Sequence, residues 1–363
     1  RSSNLCTEIF QNTEPNYYMI KLWIDDGGSS YILCHENDTV ELLDGTTKLG
    51  KKVTSLDTIV SITDSRGEVT HYLDDPEKVY CVEKEKIDGK TAVCNLASVN
   101  LSKINSQEDL ERVVPIAVRM LDNVIDLNFY PLRKVKATNL KSRSIGLGVM
   151  GEAEMLADYK LVWGSNDHFK KIDQIMEAIS YNVIKSSSDL AIEKGIYPTF
   201  EGSKWSQGIM PHDHAPQAVN ALVDKDLFDA SYDWDVLREK VKKDGMRNGY
   251  LMAVAPTSSI SILVGTTQAI EPVYKRKWFE ENLSGLIPVV VPKLSPETWN
   301  YYTPAFEIDQ LQVIKAAAIR QKWIDQGQST NIFMSLDKAS GKYLHEIYTL
   351  AWKLGLKSTY YLR

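Results

Sequence analysis

Asn4, Cys6 and Glu8 alternate through the opening stretch "SNLCTEI". In an extended chain residues two apart point the same way, so an amide, a thiol and a carboxylate share one side while Leu5, Thr7 and Ile9 take the other. A nearby carboxylate disfavours the thiolate, the wrong direction for a cysteine that attacks as S⁻. A protonated thiol beside an acid suits hydrogen-atom chemistry instead, with the thiol giving or taking H• while Glu8 and Asn4 manage protons and hydrogen bonds. The competing expectation is a half-buried strand with a free cysteine, because short motifs match by accident.

Other groups with chemical reach lie further along. In "APTSSIS", residues 255–261, a buried strand running into a hydroxyl-rich turn presents N–H groups and hydroxyls to an anion, or else simply caps a helix. In "TYYLR" the adjacent Tyr360 and Tyr361 offer two phenols that can each give up an electron with a proton. An ideal strand puts adjacent side chains on opposite faces, so contact between them needs a local twist. "GLGVMG" at 146–151 has the glycine spacing of a dinucleotide fingerprint, but "TNLKSRSI" before it is no apolar strand, and tight packing at a helix start accounts for the glycines. "HDH" at 212–214 sits in a Pro-flanked loop with no further ligands to complete a metal set, which favours solvated loop histidines over a metal.

These groups need elements to hold them. "YYMIKLWI", "SYILC", "TVELL", "DTIVSI" and "EVTHYL" are short β-rich runs separated by "DDGGS", "DGTTKLGKK" and "DSRG", so residues 17–86 read as a small antiparallel β module. From Ser106 the pattern turns helical, with Ser106 and Asp109 as a capping-box-like start and Leu110, Val113, Val114, Ala117, Leu121, Val124 and Ile125 on one face. Pro115 is a candidate kink. A second helix carries Ile172, Ile175, Met176, Ile179 and Val183 and stops near Gly195. "GYLMAVAP" reads as a buried strand from Gly249. Helices follow around 311–326 and 342–354, the last ending at Gly355 before an extended "LKSTYYLR". Strands alternating with long helices define an α/β domain.

The 363 residues, 43% hydrophobic and 25% charged, have the composition of a soluble globular protein. A net charge of −6 argues against a polyanion-binding surface, so nucleic acid is not an expected partner. No apolar run approaches the length of a membrane span. The four cysteines, Cys6, Cys34, Cys81 and Cys94, contain no CxxC pair, which makes a reducing cytoplasm the simplest setting. The chain begins without Met and stops abruptly, as a fragment does.

Taken together, "SNLCTEI", "AVCNLASVNL", "RSIGLGVMG", "GMRNGYLMAVAPTSS", "IEPVY", "RQKWIDQGQSTNIF" and "LAWKLGLKSTYYLR" resemble, in order, the catalytic subunits of aerobic, class I ribonucleotide reductases. The resemblance covers about 1–16 and 87–363 and fails over 17–86. It implies an α/β fold belonging to a ten-stranded barrel of two five-stranded halves. This chain would supply the finger loop and roughly the second half, with a β-rich insertion at 17–86.

The resemblance further implies that Cys6 is the thiyl-radical cysteine that takes the ribose 3′-hydrogen, Glu8 the base for the 3′-hydroxyl, and Asn4 a substrate hydrogen-bonder. Cys94 would be one of two cysteines supplying reducing equivalents. Thr257, Ser258 and Ser259 would bind the diphosphate; Ile260 departs from the hydroxyl often found there. Tyr360 and Tyr361 would relay the radical from a metal-containing small subunit, so that this chain binds no cofactor or metal itself. Implied partners are a ribonucleoside diphosphate, the small subunit, the missing N-terminal part of the large subunit with the partner cysteine of Cys94, a second large subunit in a dimer, and thioredoxin or glutaredoxin as external reductant. No membrane partner is implied. The leading reading is a fragment, or one piece of a split catalytic subunit; two others compete, a non-catalytic docking scaffold for a radical-generating subunit, and an intein remnant at 17–86, which lacks the terminal His-Asn. Anaerobic and cobalamin reductases share the cysteine loop, but the terminal tyrosine pair favours the aerobic class.

Overall fold

Valine, isoleucine, threonine and tyrosine crowd the runs between residues 17 and 86, and in the computed structural model they form strands. The model describes residues 17–24, 29–35, 38–42, 46–49, 59–63, 69–72, 79–86, 91–223, 232–282 and 285–363. The chain divides into two compact units, residues 1–93 with 127–142, and residues 94–126 with 143–363.

In the first unit β1 (Tyr17–Ile24), β2 (Ser29–His35), β3 (Thr39–Leu42), β4 (Thr47–Leu49), β5 (Ile59–Thr63), β6 (Val69–Tyr72) and β7 (Val79–Lys86) make two antiparallel sheets. Their orders are β2-β1-β7 and β4-β3-β5-β6. Strand β3 alternates as a one-sided strand must, with Val40 and Leu42 buried and Glu41 outward. Glu41 registers with Ser61 of β5, whose hydroxyl donates to its carboxylate at 3.0 Å. Strands β4 and β7 escape the sequence reading. "TKL" is embedded in turn chemistry, and half of "VYCVEKEK" is charged. The helix Arg133–Ser142 belongs to this unit as well.

In the second unit, β8 (Leu96–Asn100) and β9 (Gly146–Met150) pair in parallel. Between them in sequence lies α1 (Gln107–Leu127). Its start is as expected: the Asp109 N–H donates to Ser106 Oγ, while the Asp109 carboxylate accepts the Asn105 N–H at 3.0 Å. Pro115 sits within it. Leu110, Val114, Val118, Leu121 and Ile125 are its buried stripe, whereas Val124 faces outward.

"GLGVM" is thus the strand β9 itself, fully buried, and α2 (Glu152–Asp158) follows Gly151 at φ +80°. A side chain on Gly148 would run into the Ala253 carbonyl, so the glycine lets residues 250–254 lie close alongside. Bonds from the Ile145 and Leu147 N–H groups to the Tyr250 and Leu251 carbonyls join that segment to β9. A parallel bridge, Val254 to Gln328, continues the order, and another, Ile332 to Leu362, adds the chain end. Five segments therefore run side by side in sequence order, as half of a ten-stranded barrel requires.

The expected strand at "GYLMAVAP" is a buried extended segment without a regular ladder, because the N–H groups of Leu251 and Met252 donate to the Asp325 carboxylate at 2.9 and 2.7 Å. Burial pushes the Asp325 carboxyl up to about 6 against these two donors.

The remaining elements of this unit are, in order, α3 (Asn166–Lys194), α4 (Trp234–Asp244), α5 (Ser258–Val264), the hairpin β10 (Lys277–Asn282) and β11 (Gly285–Val290), α6 (Gln310–Trp323) and α7 (Gly341–Lys353). Helix α3 buries all five expected residues of its stripe and ends at Gly195 with φ +84°. The hairpin carries no counterpart in the sequence reading.

Two buried ionic clusters tie the helices to the strand layer. Arg320 of α6 meets both Glu152 oxygens at 2.8 and 3.0 Å and donates to Gln328. The Gly164 N–H donates to His168 Nδ1, so the ring proton lies on Nε2, which donates to Glu152 at 3.0 Å; burial keeps His168 below its usual pKa, hence neutral. In the second cluster Asp122, with 0% exposure, takes donors from Arg143, Arg247 and Asn248. Burial pushes its carboxyl up, but the two guanidiniums outweigh this and hold it below the ordinary carboxylate range.

Asp122→Ala leaves two guanidiniums short of a partner and should cost roughly 3–5 kcal/mol, read by urea unfolding. The sign with pH follows. This contribution is fully present above the unfolded carboxylate pKa of about 3.9 and is lost as pH falls through the lower folded value. The stability difference between wild type and Asp122→Ala should therefore shrink on acidification below about pH 4.

Candidate active site

Tyr360 and Tyr361 meet through an irregularity in the last extended segment. Ile332 registers with Leu362: its N–H donates to the Tyr361 carbonyl at 2.9 Å, and its carbonyl accepts the Arg363 N–H at 2.8 Å. A regular parallel ladder through this pair would bring the Tyr361 N–H to the Thr330 carbonyl. The Tyr360 N–H occupies that place at 2.8 Å, so the segment carries one extra residue, a bulge. The displaced Tyr361 N–H donates to Asn331 Oδ1 at 2.9 Å.

The bulge supplies the twist that contact requires. The two rings lie 4.1 Å apart between centroids, tilted by 45°, and their hydroxyls stand at hydrogen-bonding distance, 3.2 Å. Both phenols reach solvent, with Tyr360 44% and Tyr361 51% exposed. The hydrogen bond with Tyr361 raises the Tyr360 phenol above its ordinary pKa. The two phenols thus touch each other at the surface of this unit.

The other expected site residues are distributed as follows. Cys94 is exposed, two residues ahead of β8. Its neighbour Asn95 is fixed by a bond from Nδ2 to the Leu121 carbonyl and by the Gly146 N–H on its own carbonyl. Thr257 is 2% exposed, and its hydroxyl accepts the Ala269 N–H at 2.8 Å. It therefore braces the turn, while Ser258 and Ser259 open α5 as exposed residues. Asn4, Cys6 and Glu8 lie outside the described residues. Cys34 and Cys81 register against different positions of β1, opposite Tyr18 and Leu22.

The expectation of solvated histidines in "HDH" fails for His212. Its ring packs against Trp234 at 4.4 Å and Trp323 at 5.4 Å, and burial lowers its pKa. Two tryptophans brought from distant helices make the loop a packing site, which the local sequence cannot show.

A strand layer of parallel segments in sequence order, as in half a barrel, ends here in two phenols in contact. The family model described as "Ribonucleotide reductase, barrel domain" matches residues 1–362, and the chain belongs to that family. It is 62% identical over 363 residues to the "Ribonucleoside-diphosphate reductase subunit alpha" of Helicobacter pylori, covering all of this chain and 44% of that relative. It is 43% identical over 277 residues to the subunit alpha of Treponema pallidum, covering 76% of this chain and 31% of the relative. With the "Ribonucleoside-diphosphate reductase large subunit" of Danio rerio it shares 32% identity over 312 residues, 76% of this chain and 38% of the relative. The chain thus spans less than half the length of these relatives. Among the described residues no helix is long and apolar enough to cross a membrane.

Proposed function

We propose that this chain is the finger loop and second barrel half of a class I ribonucleotide reductase catalytic subunit, and that the complete protein reduces ribonucleoside diphosphates to 2′-deoxyribonucleoside diphosphates in the cytoplasm. The observation that carries this reading is the bulged tyrosine pair in a chain that matches the barrel family from end to end. An oxidising equivalent from a metal-containing small subunit crosses Tyr361 and Tyr360 as hydrogen-atom transfers and leaves a thiyl radical on Cys6. Cys6 takes the 3′-hydrogen of the ribose, Glu8 accepts the 3′-hydroxyl proton, and Asn4 holds the substrate. The 2′-hydroxyl departs as water. Cys94 and a second thiol from the missing part supply two electrons and two protons, closing a disulfide. The 3′-hydrogen then returns from Cys6, and thioredoxin or glutaredoxin reduces the disulfide. Ser258, Ser259 and the backbone N–H groups at the start of α5 receive the diphosphate, with Thr257 behind them.

Residues 17–86 form an insertion in this scheme, with 1–16 and 87–363 as the catalytic part. Supporting this, the Treponema pallidum match is 277 residues long, as many as lie from 87 to 363, whereas the Helicobacter pylori match spans the whole chain. Replacing 17–86 by a short linker in the complete subunit should leave turnover intact, since halving or doubling a loop changes its closure cost by only about 0.6 kcal/mol. Loss of turnover with the fold retained would contradict an insertion.

The function itself is tested with the full-length subunit and its small subunit, assaying deoxynucleoside diphosphate from ribonucleoside diphosphate and dithiol. Product is expected from the complete protein as an α dimer, and none from the 363-residue chain with the small subunit alone. Turnover by the isolated chain would contradict a partial barrel, and no turnover by the folded complete complex would contradict the assignment.

A further inference from the structure

The N–H displaced by the bulge fixes more than Asn331. Because Asn331 Oδ1 accepts from Tyr361, its Nδ2 must turn the other way and find an acceptor. Asn331 is buried at 2% exposure, where an unpaired amide is costly, and Nδ2 donates to Glu271 Oε1 at 2.5 Å. Glu271 is half-buried on the turn after α5, sixty residues from Asn331 in sequence. The Arg363 guanidinium lies 5.4 Å from the Tyr361 ring centroid. Its charge acts on both Glu271 and Tyr360.

We propose that Glu271 is a positioning residue for radical passage: through Asn331 it holds the bulge that keeps the phenols of Tyr360 and Tyr361 in contact. This rests on the relay reading above. In the step it serves, one phenol O–H bond breaks as the other forms, so a proton and an electron cross together while the radical moves the opposite way. No further oxidant or reductant enters. Burial pushes the Glu271 carboxyl up to about 7, against the pull of Arg363 and Asn331. Either protonation state offers Asn331 an oxygen acceptor, so what the clamp requires at position 271 is the acceptor.

The test uses the complete reductase complex. Glu271→Ala should lower kcat at least roughly tenfold, with the KM for ribonucleoside diphosphate and the small-subunit affinity within about twofold of wild type. Glu271→Gln keeps an acceptor and should restore kcat. Asn331→Asp keeps the acceptor for Tyr361 but sets two carboxyl groups face to face; below the pH that ionises both, a shared proton holds the contact, and above it the variant should be slow. Combining it with Glu271→Gln returns a donor to the contact and should recover turnover, a reciprocal rescue that general destabilisation would not produce and that remains readable if Glu271→Ala does not fold. Wild-type kcat in Glu271→Ala, a loss confined to KM, or no rescue in the double variant would overturn the clamp. The relay reading fails separately: if Tyr360→Phe and Tyr361→Phe both turn over normally the relay is wrong, whereas if both are inactive and Glu271→Ala is active only the clamp is wrong.

Discussion

Tyr360→Phe and Tyr361→Phe should each reduce turnover of the complete complex by more than roughly 100-fold, while nucleotide affinity and small-subunit binding stay near wild type. Phenylalanine keeps the ring and its tilted contact at 4.1 Å but removes the O–H that would carry the hydrogen atom. The structural cost is small. Both rings are about half exposed, and the lost contact is one hydroxyl pair at 3.2 Å, so stability should change by no more than about 0.5–1.5 kcal/mol. Steady-state turnover, measured beside the two binding constants, separates the roles. If the tyrosines are only packing aromatics, both variants will be active, and the ground for choosing the aerobic class disappears.

Cys6→Ser should abolish deoxynucleotide formation and leave the fold unchanged. Serine is nearly isosteric and keeps a hydrogen-bonding group between Asn4 and Glu8, but an O–H bond holds its hydrogen far more strongly than S–H, so the relay cannot end there. The alternation of Asn4, Cys6 and Glu8 motivates this prediction, because an acid beside a cysteine suits a protonated thiol. Product accumulating near the wild-type rate would remove Cys6 from the mechanism. A thiol acting as an ionic nucleophile would show itself differently, by thiolate-specific alkylation that tracks activity with pH.

How much of this was legible beforehand follows from the range of the interactions. Helices α1 and α3 announce themselves because their stripes and caps lie within the helices or next to them, as with Ser106 and Asp109 or Gly195. The extended segment at 250–254 is apolar enough to be read as a strand, yet the Leu251 and Met252 N–H groups go to Asp325, more than seventy residues away. His212 looks solvated until Trp234 and Trp323 close over it.

The tyrosine pair shows the same division. Two adjacent phenols are visible in "TYYLR", and so is the need for a twist to bring them together. The bulge that provides it depends on Thr330 and Ile332, and the clamp on Glu271 and Asn331; "IEPVY" and "QSTNIF" are visible as motifs, but their contacts with the tyrosines are not. Residue types disclose the chemistry here, whereas the contacts that aim them come from distant segments.

The central claim is that an oxidising equivalent passes through Tyr360 and Tyr361 on its way to a cysteine. It is tested most directly by replacing each tyrosine in turn with a more easily oxidised tyrosine analogue. The complete complex is then mixed with ribonucleoside diphosphate and examined by electron paramagnetic resonance. The account predicts an analogue radical at both positions, formed only with the small subunit present and accompanied by a fall in product formation. Full turnover with no radical at either position would contradict it.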